Sequence, residues 1–100
     1  MKRHVDEQAL CRVFVSLGLP TPPLPISGID VFLPLLERIK QDGGVVLLKW
    51  DGERSTNTYT ALASKLEDEE FYRFDGPSAE VVLLSVVVSY ARRYWGVPTE

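Results

Sequence analysis

Two apolar periods alternate along this chain. Leu10, Val13, Phe14 and Leu17 fall at helical spacing, with Asp6 and Glu7 ahead of them and Gly18 behind. That spacing predicts a short amphipathic helix over Asp6–Leu17. LPTPPLPIS, residues 19–27, carries four prolines in nine residues and reads as an extended connector, because proline neither continues a helix nor joins a central strand. Pro20 to Pro23 also has PxxP spacing, a match too short to outweigh the structural reading. Ser27 and Asp30 have the spacing of a capping box, and Ile29, Phe32, Leu33, Leu36 and Ile39 then line one helical face up to Gly43. Pro34 interrupts this pattern and predicts an irregular first turn.

Beyond Gly43 the period shortens to two. Residues 45–50, VVLLKW, place Val46, Leu48 and Trp50 on one face of a strand. Residues 58–64 alternate Tyr59, Ala61 and Ala63 against Thr58, Thr60 and Leu62, and FYRF, 71–74, supplies a third strand. Asp75-Gly76-Pro77 closes it and opens a helix, with Pro77 suited to the first helical position. That helix, Pro77–Trp95, confines Ser78, Ser85, Ser89, Arg92 and Arg93 to a narrow polar arc. Its remaining face is apolar and wide enough to be buried on two sides or completed by a partner. The chain therefore reads as one α+β domain, residues 1–100, in the order α-α-β-β-β-α. Its three-stranded antiparallel meander is covered by the C-terminal helix and one or both N-terminal helices.

Composition narrows the chemistry. One hundred residues, 45% hydrophobic and 25% charged, suit a single folded domain. The formal net charge of −3 disfavours attraction to nucleic acid or anionic lipid and favours a basic protein partner. The α-β-β-β-α portion shares its element order with double-stranded-RNA-binding domains, but an acidic run replaces the basic surface that phosphates need. MKRHVDEQ leads into no apolar signal-peptide core, and Val81–Val88 is too short to span a bilayer, so the expected compartment is the cytoplasm.

Catalytic motifs do not emerge. Cys11, the single cysteine, cannot form an internal disulfide and suits the apolar side of the first helix. His4, the single histidine, has no partner for a nucleophilic triad. Gly43-Gly44 precedes a strand, whereas a phosphate loop follows one. No cofactor is implied. The run Glu67, Asp68, Glu69 and Glu70 lacks the ligand alternation and central glycine of a calcium loop. An acid pair of Glu70 with Asp51 or Glu53 would make a small hydrolase, provided one carboxylate were desolvated; a stretch so polar argues against it.

KLEDEEFYRFDG, residues 65–76, leaves two readings. One is a solvated hairpin loop whose charges keep an edge strand from self-pairing. The other is a docking surface in which Glu67, Asp68, Glu69, Glu70 and Asp75 meet basic groups of another protein, with Tyr72 or Tyr59 as an aromatic anchor. Asp51 and Glu53 would extend it from the first β-turn if they share a sheet end with Asp75.

Small size, acidity and the carboxylate-plus-aromatic stretch EDEEFYRF together resemble bacterial immunity proteins, the partners that neutralise a toxin delivered by a neighbouring cell. The resemblance is one of layout over the whole chain. It implies a non-enzymatic inhibitor that docks by charge complementarity on a basic toxin domain, such as a nuclease. The alternative is a homodimeric secretion chaperone or assembly factor, pairing through Val81, Leu84, Val88, Tyr90 and Trp95 of the C-terminal helix.

Overall fold

The computed structural model of the chain describes residues 2–65 and 71–98, with side chains from residue 7 onward. Helix α1 runs Lys2–Ser16, starting earlier than the apolar spacing alone indicates. It buries Ala9, Leu10, Val13 and Phe14, the stripe expected from the 3.6-residue period. Its chain then turns at Gly18, which holds a left-handed φ of +73° that costs glycine nothing.

The proline connector is tied down at two main-chain amides. Ile26 N–H donates to Glu7 Oε2 at 3.0 Å, and Gly28 N–H donates to Glu80 Oε2 at 2.9 Å. Leu19 and Ile26 pack against the core, so the segment is a strap across the molecule. The Ser27–Asp30 capping box is not formed. Instead a 3₁₀ turn, Asp30–Phe32, begins at Ile29 without a side-chain cap, and α2 follows as Leu33–Gln41 with Pro34 in its first turn. Proline lacks a donor that the first turn would leave unused; of the expected face Phe32 and Ile39 are buried, with Leu35 beside them, while Leu33 is exposed and Leu36 half-buried.

Strands β1 (Gly44–Trp50), β2 (Tyr59–Lys65) and β3 (Phe71–Gly76) form an antiparallel sheet in the order β1-β2-β3. Helix α3, Ala79–Tyr94, lies across β2 and β3; α2 lies against β1, and α1 packs on α3. All the helices therefore share one side of the sheet. Pro77 does not open α3 as the sequence suggests. Ser78 is the cap, its hydroxyl accepting from Val81 N–H at 3.1 Å, and proline merely precedes it. A serine cap stabilises a helix by about 1 kcal/mol.

Helix–sheet contact is close because β2 presents Ala61 and Ala63 inward, both fully buried under Val82, Leu83, Val86 and Val87. At the far end of α3, Asp42 accepts from Trp95 Nε1–H at 2.6 Å and from the Tyr90 hydroxyl at 3.3 Å. Burial, then the charge of Asp42, pushes the Tyr90 phenol up to about 12. Gly44 sits beneath this junction. A Cβ there would stand 2.6 Å from Ile39 Cγ2 and 2.9 Å from the Tyr90 hydroxyl oxygen, so the start of β1 has room for glycine alone. Gly44→Ala is expected to destabilise the fold by about 1–3 kcal/mol through this overpacking, read as a fall in the urea midpoint with an unchanged slope.

Candidate functional site

A sheet covered on one side leaves the other open, and strand register determines what stands on it. Three cross-strand rows cross the open face: Val45–Ser64–Phe71, Leu47–Leu62–Arg73 and Lys49–Thr60–Asp75. The first two rows are largely apolar, and Val45, Leu47 and Phe71 are 47%, 59% and 56% exposed. The third row is ionic. The face is thus apolar toward the Gly44 end of β1 and charged toward the Trp50 end.

At the charged end the groups satisfy one another. Arg54, in the β1–β2 loop, reaches Asp51 at 3.1 Å and Asp75 at 3.3 Å and also donates to the Asn57 carbonyl. Lys49 lies 3.4 Å from Asp51, and Arg73 lies 3.5 Å from Asp75. The Thr60 hydroxyl donates to Asp75. Asp51 is held below the usual carboxylate range first by the Glu53 N–H, then by Lys49 and Arg54. Asp75 is held below it first by Thr60, then by Arg54 and Arg73.

Asp51, Glu53 and Asp75 do share one sheet end, as the turn positions suggested. They do not form an unpaired acidic surface there. Asp51 and Asp75 are neutralised by the chain's own cations, and Glu53 contributes its backbone to Asp51. Glu67, Asp68, Glu69 and Glu70 lie outside the described residues. Lys65 and Phe71, which bracket them in sequence, stand at the opposite end of the sheet from Asp51 and Asp75, roughly 20 Å away along a seven-residue strand.

The two proposed anchors also turn out differently. Tyr59 and Tyr72 are half-buried and pack toward the helices. Tyr59 meets Trp50 edge-on at 6.0 Å, and Tyr72 lines a shallow groove with Ser89, Arg92 and Arg93. The aromatics left exposed are Trp50, Phe71 and Phe74, none of which the sequence reading named as an anchor. Strand alternation in FYRF separates Phe71 from Tyr72, but which of the two faces solvent depends on where the helices pack. Of the dimerisation face proposed for the last helix, Leu84, Val88 and Tyr90 are buried inside the chain, Trp95 is half-buried and bonded to Asp42, and Val81 is half-buried.

Among the described residues, no group of three or more His, Cys, Asp or Glu side chains could hold a metal ion. No described helix is long and apolar enough to cross a membrane. No family model, curated protein or solved structure matches the chain.

Because the folded state favours ionised Asp75, its contribution to stability is present above the ordinary carboxylate range near 3.8 and is lost as pH falls through the lower folded value. Between about pH 5 and pH 2, wild-type stability should therefore fall more steeply than that of Asp75→Asn, followed by urea unfolding at each pH.

Proposed function

We propose that the chain is a non-catalytic protein-binding module of the toxin-neutralising immunity type, docking a basic partner on the open face of its sheet. The observation that carries this reading is the exposure of Val45, Leu47 and Phe71 together at one end of that face, with no element of the described chain over them. Fully covering side chains of this size is worth roughly 1.5–3 kcal/mol each, and these are about half covered already. A partner supplies the remainder.

Charge supports the same end. Phe71 directly follows Glu67–Glu70 in sequence, so an apolar anchor and the chain's densest negative run are covalent neighbours. A cationic partner would be steered by the run and held by the apolar side chains, which divides association rate from residence time. The paired carboxylates Asp51 and Asp75 stiffen the other half of the sheet and take no part in docking.

The test uses the protein encoded immediately upstream of this gene, where a toxin is expected. Leu47→Glu and Phe71→Ala, both at exposed positions, should each weaken the complex about tenfold or more, mainly by faster dissociation. Replacing Glu67, Asp68, Glu69 and Glu70 by Lys should slow association and flatten its dependence on salt. Folded Leu47→Glu protein that binds as wild type would remove the open face, and an unchanged on-rate in the lysine variant would remove the charge steering.

A further inference from the structure

We infer that the free edge of β1 is a second binding site, taking an extended segment of another protein as an added strand beneath α2. β1 has β2 on one side and, among the described residues, no strand on the other. It runs seven residues in continuous register without a bulge or proline. Lys49 is the one edge lysine and α2 packs beside the strand, but no bulge or proline interrupts it, so its outward N–H and C=O groups specify an occupant with a main chain to offer.

The space beside that edge is a groove of about 530 Å³ between α2 and β1, with Leu33, Leu36 and Ile39 on one wall and Val46 and Leu48 on the other. Leu33 is 53% exposed. A volume of this size suits a few apolar side chains projecting from alternate residues of a strand. The tight turn at Asp42–Gly43 reverses the chain, and Gly44 lies against Ile39, so α2 and β1 run antiparallel. Lys40 therefore stands at the Gly44 end of the groove, and Glu37 about one helical turn nearer the Trp50 end.

Both charges line the groove. Neither forms an ion pair among the described residues, in contrast to Asp51 and Asp75. A strand added antiparallel to β1 advances toward Lys40. Its complementary sequence places, among the residues facing the groove, a basic one near Glu37 and then an acidic one near Lys40, the remaining groove-facing residues being apolar. This site lies on the helix side of β1, so it and the open-face interface can fail independently.

Two fluorescein-labelled octapeptides alternating Leu and Thr test the inference by anisotropy. One carries Arg then Glu in place of the two groove-facing Leu residues that meet Glu37 and Lys40; the other carries them exchanged. The first should bind at least about tenfold more tightly, and a Glu37→Lys, Lys40→Glu double variant should reverse the order. Leu33→Glu, folded by circular dichroism, should lose both. N-methylation of alternate peptide amides should abolish binding in one register and spare it in the other. No binding, equal affinities for the two peptides, or loss in neither methylation register would overturn the proposal. So would a dimeric solution mass that Leu33→Glu returns to monomer, since a second copy would then be the occupant.

Discussion

Everything else in this molecule depends on how closely α3 can approach the middle strand. Ala61 and Ala63 leave the inner surface of β2 nearly flat, and Val82, Leu83, Val86 and Val87 join them in one fully buried cluster. A larger residue at either alanine would lift the helix from the sheet and loosen its contacts with α1 and the strands together. The Asp42 junction holds the other end. Its carboxylate binds the Trp95 indole and Tyr90 hydroxyl, locking the end of α3 to the α2–β1 turn.

That arrangement commits all three helices to one side, with consequences for the rest of the surface. Three short strands bury one face well, but no helix remains to cover the other. Ordinary folded proteins solve this by making the second face polar. Here only the Lys49–Thr60–Asp75 row follows that rule, while Val45, Leu47 and Phe71 break it. The departure is informative because the same sheet demonstrates the polar solution a few residues away.

Charge is divided in a parallel way. At one end of the sheet Arg54 gathers Asp51 and Asp75 into a closed network at the β1–β2 loop, and the Glu53 N–H on Asp51 and the Thr60 hydroxyl on Asp75, then these cations, lower both carboxyl pKa values. Such pairing stiffens structure while removing those groups from any long-range field a partner would sense. Glu37 and Lys40 are left outside the described ion pairs, beside an unpaired strand edge. Which charges are spent and which remain available thus separates scaffold from recognition surface, where net charge alone cannot.

Much of the scaffold was legible from the residues. The switch in apolar period at Gly43, the glycine stops and the alternation in β2 determined the α+β class, the element order and the grouping of Tyr59, Ala61 and Ala63 on one face, because these are local consequences of backbone geometry. Caps were less legible: Ser78 displaced Pro77 as the start of α3, and Ser27 made no cap, since several nearby residues compete for one terminus. The site was least legible. FYRF prescribes that Phe71 and Tyr72 point apart, but only helix packing decided that Tyr72 faces inward and Phe71 faces solvent. Likewise, nothing local in Asp51 or Asp75 reveals that Arg54 folds over both, because residues up to twenty-one positions apart meet only once the meander has closed.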